Sequence, residues 1–133
     1  MTLKVQLVKD GKVIVEVSLE REEWEQEELE SELREFESTL DITTEMHSIF
    51  SNKVRTRMLC EMVRTSDRHF SEFMNTLDAN QKIVNENLKR MVKNRLVTRV
   101  KSEQGGVHYS ATDLGFASTL ACMMLSRVLD ELE

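Results

Sequence analysis

The stretch that most restricts how this chain can fold runs from Leu77 to Thr112. Asn80 is a suitable helix N-cap, and Val84, Leu88 and Met91 follow at i, i+4 and i+7. One face of a helix ending near Asn94 must therefore lie on a core. After it come Leu96-Val-Thr-Arg-Val-Lys101, then Ser-Glu-Gln-Gly-Gly, then Val107-His-Tyr-Ser-Ala-Thr112, two short strands around a glycine-containing loop. Upstream, a helix is expected from about Asn52 to Arg64. It has Val54, Met58, Leu59, Met62 and Val63 facing inward and Arg55, Arg57, Glu61 and Arg64 facing outward. A shorter helix is expected near Phe70 to Thr76.

Helix, turn, amphipathic helix and β-hairpin in that order make a winged helix-turn-helix. The order is more specific than any single part. The expected fold class is mainly α with small β-hairpins, an α+β arrangement. Composition agrees: 133 residues with 40% hydrophobic side chains can build one core and carry an added arm. With 32% charged and only 5% aromatic residues, packing by Leu, Val and Met in helices fits better than an all-β sandwich.

The net charge of −6 speaks at first against a nucleic-acid partner. Its distribution reverses that inference. Residues 20–37 hold ten Glu against Arg21 and Arg34, a local charge of −8. From Ile42 to Lys101 twelve Lys or Arg face six acids, a local charge of +6. The chain thus joins an acidic arm to a basic module. On the helix from Asn80, the face opposite Val84, Leu88 and Met91 carries Gln81, Lys82, Asn85, Glu86 and Lys89. Taken alone it could be an ordinary solvated face. Inside a basic module it suits base reading, because Gln and Asn amides donate and accept together at an adenine edge and Lys approaches guanine or phosphate. The helix N-terminus itself favours phosphate. Glu86 is expected to pair with Lys82 or Arg90 at helical spacing.

The N-terminal arm begins with a β-hairpin pattern around Lys9-Asp10-Gly11. A two-residue loop would pair Val5 with Glu16 and mix polarity on each face. A three-residue loop with a bulge at Gly11 pairs Leu7 with Val13, Val5 with Val15 and Leu3 with Val17, sets Lys4 opposite Glu16, and is the register expected. From Glu20 to about Leu40, Leu29, Leu33, Phe36 and Leu40 form a helical stripe, and the stretch Asp41 to Thr44 reads as a junction. The glutamates fit a solvated surface, a dimerisation helix, or an acidic surface that mimics or repels DNA.

The last segment, from Thr112, has a Thr cap and apolar residues on nearly all sides: Leu114, Phe116, Ala117, Leu120, Ala121, Met123, Met124 and Leu125. Such a helix must be buried, and dimerisation is the natural means in so small a chain. Burial within the chain under the arm is the alternative. Cys60 and Cys122 fall in apolar helical patterns and are expected as reduced, buried thiols. His47, His69 and His108 stand apart and no Cys lies within four residues of another Cys or of a His, so no metal and no cofactor are expected. Nor is there a nucleophile, base and orienting acid at recognisable spacing, so an enzyme is not expected. No run of eighteen apolar residues and no leader pattern occur; the expectation is a cytoplasmic protein without a membrane partner.

Residues 48–112 resemble the ArsR-type and related MarR-type transcriptional regulators. Phe50-Ser-Asn-Lys-Val-Arg55 is similar to their opening pattern, and Leu77 to Val97 to their turn and recognition helix. Tyr109-Ser-Ala-Thr-Asp-Leu-Gly115 is similar to their strand-to-helix exit. The resemblance implies a homodimer on double-stranded DNA, its two recognition helices in successive major grooves and its wings on the flanking backbone or minor groove. The implied contact residues are Asn80, Gln81, Lys82, Asn85 and Lys89 on the helix and Arg99 and Lys101 on the wing. Glu103 at the wing tip departs from this, since it would face phosphates unfavourably. The expected division is an arm over 1–41, a DNA-binding module over 42–112 and a dimerisation helix over 113–133. A protein partner held by the acidic arm, without direct DNA reading, is the competing expectation.

Overall fold

A computed structural model describes residues 2–65, 68–77 and 79–133. Asp78, in the turn expected before the long amphipathic helix, lies outside the described residues. The chain divides into two compact units, Met1–Ile42 and Thr43–Glu133.

The first unit opens with antiparallel strands β1 (Lys4–Lys9) and β2 (Lys12–Ser18). Their register differs from the expected one. Lys9 pairs with Lys12, so the loop is Asp10-Gly11 alone, with φ of 51° and 77°, the paired left-handed residues of a tight hairpin turn. The irregularity lies within β2 instead: Val8 pairs with Val13 and Leu7 with Val15, leaving Ile14 as the extra residue. The bulge restores Val5 opposite Val17 and Leu7 opposite Val15. A bulge beyond the turn gathers apolar side chains opposite one another as a bulge at Gly11 was expected to do, and Val5, Leu7 and Val15 on the hairpin remain exposed. Gln6 stands opposite Glu16 and donates to it at 2.9 Å, while Lys4 reaches it diagonally at 3.3 Å. Gln6 first, then Lys4, holds the Glu16 carboxyl below the usual range.

The single helix expected from Glu20 to Leu40 is interrupted at both ends. A 3-10 turn spans Arg21–Glu23, and Trp24 follows in extended conformation, its indole N–H donating to the Ser18 carbonyl at 2.8 Å. α1 then spans Gln26–Glu37. It stops because Ser38 and Thr39 turn their hydroxyls onto the carbonyls of Glu35 and Phe36, competing with helix continuation. α2 (Leu40–Phe50) runs straight through the stretch expected to be a junction. Its anchors are fully buried Ile49 and half-buried Met46 and Phe50, which the polar Asp41–Thr44 stretch masks in sequence.

In the second unit α3 (Lys53–Arg64), capped by Asn52, is followed by β3 (Arg68–His69), α4 (Phe70–Thr76) and α5 (Gln81–Lys93). Then come β4 (Val97–Lys101), β5 (Val107–Ala111) and α6 (Asp113–Leu132). The three strands form an antiparallel sheet in the order β3-β5-β4. The core unites Ile49 of α2, Met58, Leu59 and Met62 of α3, Phe73 of α4, and Val84, Leu88 and Met91 of α5 with Leu96, Val97 and Tyr109. Arg55, expected outward, is buried at 8% exposure, because its guanidinium reaches the carbonyls of Ser48 and Ile49 at the end of α2 and the Asn87 amide of α5. Cys60 and Cys122 are free thiols, half-buried and not fully so as expected, on a groove between α3 and α6. Burial raises the Cys122 thiol above its usual value.

Two joints hold the wing against its neighbours. α5 ends with Arg95 in the left-handed region, φ 63°, while Leu96 N–H reaches the Met91 carbonyl and Arg95 N–H the Val92 carbonyl. Thr112 then donates its N–H to the Leu96 carbonyl and its hydroxyl to that of Arg95, and caps α6 by accepting from Gly115 N–H. Gly115 is required there, since a Cβ would sit 2.0 Å from the Leu96 carbonyl oxygen.

Candidate nucleic-acid interface

α5 supplies the exposed polar row. Asn80 caps it, its Oδ1 accepting from Ile83 N–H at 3.0 Å, an interaction that stabilises a helix by about 1 kcal/mol. With Oδ1 engaged in the cap, the amide nitrogen is the donor that Asn80 offers an outside group. Val84, Leu88 and Met91 are buried as the spacing requires, and this burial holds Gln81, Lys82, Asn85 and Lys89 on the exposed side.

Asn85, Lys89 and Lys93 line an open groove of about 520 Å³ with Arg99 of β4 and Tyr109 of β5; its floor includes Leu88 and Val92. Arg99 stands opposite Tyr109 in the sheet. The sheet therefore brings Arg99 beside the helix residues Asn85 and Lys89. Gln81 and Lys82 continue the exposed side toward the N-terminus of α5, outside the groove. Lys101 ends β4 opposite Val107, also outside it. Lys93 and Tyr109 were missed. Lys93 was available as the next i+4 step after Asn85 and Lys89, whereas the place of Tyr109 depends on strand pairing.

Beyond Lys101 the wing tip is closed by Ser102. Its N–H donates to the Gly106 carbonyl at 2.7 Å and its hydroxyl accepts from Gly106 N–H at 3.1 Å, with Gly105 at φ 89°. Glu103 is exposed on this tip.

Electrostatics separate two sets of basic residues. Arg64 and Arg68 pair with Glu61, Arg68 also pairs with Glu72, and Arg90 approaches Glu45 at 4.0 Å. The pair expected between Glu86 and Lys82 or Arg90 does not form among the described residues. Among the described residues, Lys82, Lys89, Lys93, Arg99 and Lys101 have no ion-pair partner. Five cations without ion pairs on one helix and its adjoining strand, against Glu86 on the same helix face, leave a net basic surface suited to a polyanion. Among the described residues no cluster of three or more His, Cys, Asp or Glu could hold a metal ion, and no helix is long and apolar enough to cross a membrane.

Solved structures share this architecture. A MarR-family transcriptional regulator from Enterococcus faecalis V583 superposes with a TM-score of 0.61 at 23% identity, over 71% of this chain and 86% of that one. The transcriptional repressor BigR from Xylella fastidiosa gives 0.60 at 14% identity, over 71% and 93%. An ArsR-like transcriptional regulator from Rhodococcus sp. RHA1 gives 0.55 at 21% identity, over 71% and 84%. At these identities the likeness is one of fold, and it bears out the winged helix. No curated protein matches the chain by sequence. The sequence profile of the HxlR-like helix-turn-helix family matches residues 49–133, from the first fully buried residue of α2 through the whole of α6. That span holds every element of the groove between α5 and the wing, and the chain belongs to the HxlR-like helix-turn-helix family.

Proposed function

We propose that this protein is a sequence-specific transcriptional regulator that binds double-stranded DNA as a homodimer, without catalysis, in the cytoplasm. The observation that carries the reading is the exposed row on α5, flanked by cations that no carboxylate of the described chain neutralises. In this reading α5 enters the major groove. Gln81 and Asn85 face base edges, Lys82 and Lys89 face guanine or phosphate, Asn80 lies at the phosphate-facing helix start, and Arg99 and Lys101 hold the flanking backbone. The neighbouring regulators named above, which share the fold, support it.

A homodimer is supported by α6. Leu114, Phe116, Leu120, Met123, Met124, Leu125, Leu129 and Leu132 are all exposed on it, more apolar surface than a single copy covers. The chain then comprises an arm (1–41), a DNA-binding module (42–112) and a dimerisation helix (113–133).

The test is anisotropy titration of duplexes selected from a random library. Lys89→Ala should weaken binding to all duplexes alike and lower the salt slope by about one, whereas Asn85→Ala should also relax sequence preference. Binding that ignores salt, or both variants binding like the parent, contradicts the reading. The rival function, a protein-interaction module using the acidic arm, draws on Leu33 and Phe36, which α1 leaves exposed among its glutamates. It predicts a stable protein partner and no DNA retained at low salt.

A further inference from the structure

α5 carries one residue that does not belong in its core stripe. Asn87 is only 5% exposed among Val84, Leu88 and Met91, and among the described residues its amide nitrogen meets no hydrogen-bond partner. Its amide oxygen accepts from Arg55 of α3 at 3.1 Å. The same buried guanidinium donates to the carbonyls of Ser48 at 2.9 Å and Ile49 at 3.1 Å, at the C-terminus of α2. Those are carbonyls the helix itself leaves unsatisfied. One turn further along α5, Arg90 donates to the Ser48 hydroxyl at 2.6 Å. α2 is therefore tied to α5 at two places, at Asn87 through Arg55 and at Arg90 directly, where Glu45 also lies 4.0 Å from the guanidinium.

At 3.6 residues per turn, Asn87 and Arg90 lie on the flank of α5 opposite Asn85. Apolar burial of Val84, Leu88 and Met91 holds the helix down but is non-directional. Hydrogen bonds are directional, and two of them on one flank fix the roll of α5 about its own axis. Roll decides where Gln81, Asn85 and Lys89 point. Desolvating Arg55 and leaving an Asn87 donor unsatisfied both oppose folding, and an apolar pair of similar volume would avoid both costs.

We infer that Arg55, Asn87, Arg90 and Ser48 are positioning residues, and that α2 sets the orientation in which α5 presents its reading face. The inference rests on α5 being that face.

Asn87→Leu and Ser48→Ala test it, because both leave the charge unchanged and neither residue is placed on the DNA. Binding is measured on a duplex selected by the parent protein and on a scrambled duplex of equal length, with amide hydrogen exchange in parallel. The double variant should lose about tenfold in the selected-to-scrambled ratio, the scale of one base-pair contact. Its affinity for the scrambled duplex should change by less than about twofold, since phosphate contacts are retained. An unchanged ratio overturns the inference, and so does an equal loss on both duplexes. Should the double variant not fold, Ser48→Ala alone carries the same expectation with a smaller loss. Should the parent itself show no preference, the DNA reading fails. The tie is then judged by exchange alone: faster exchange over residues 45–50 in Asn87→Leu supports it, and parental rates overturn it.

Discussion

At the residue scale, the clearest dependence is on Gly115. Its backbone lies so close to the Leu96 carbonyl that any side chain there must push α6 away from the wing. Gly115→Ala should lower stability by about 3 kcal/mol, at the upper end for overpacking, because the obstacle is main chain and cannot rotate aside. Chemical denaturation checks it; a loss under about 1 kcal/mol contradicts the geometry. Arg95 presents the opposite case, a side chain held in the left-handed region that glycine adopts freely. Arg95→Gly should therefore raise stability by up to about 1 kcal/mol in the same measurement. Local spacing revealed some residues and concealed others. The cap at Asn80 and the burial of Val84, Leu88 and Met91 follow from helical periodicity. Arg55 was placed outside because charge ordinarily marks the wet face, and its burial is tolerable because the carbonyls at the end of α2 and the Asn87 amide oxygen accept from its guanidinium. Lys93 extends the Asn85 and Lys89 row by one turn and could have been found.

At the scale of elements, those with strong local signals were legible: α5, the wing strands, α4 and the capped start of α6. α2 was not, because polar and β-branched residues fill its first turns and its anchors sit at its far end. The hairpin register was also missed, since two bulge positions satisfy the same alternation and sequence does not choose between them. α6 carries the exposed apolar face on which the proposed homodimer rests. Leu125 is 58% exposed on it. Leu125→Glu should convert a dimer to monomers in sedimentation velocity while helix content stays at the parental level, because it places charge in the proposed interface without touching the module core. A variant that sediments as the parent does would move the interface off this face.

At the scale of the whole molecule, a chain of net charge −6 presents a basic surface because its acids are concentrated in residues 20–37. The family assignment covers residues 49–133 and leaves the hairpin and acidic helix outside it. The groove of Asn85, Lys89, Lys93 and Arg99 is the site on which the functional reading stands. Hydroxyl-radical footprinting of a selected duplex tests that reading most directly. Two α5 helices of a homodimer in successive major grooves predict two protected patches about 10 base pairs apart on one face of the duplex, lost in Lys89→Ala at moderate salt. Uniform protection without phase, or a footprint indifferent to that substitution, would contradict it.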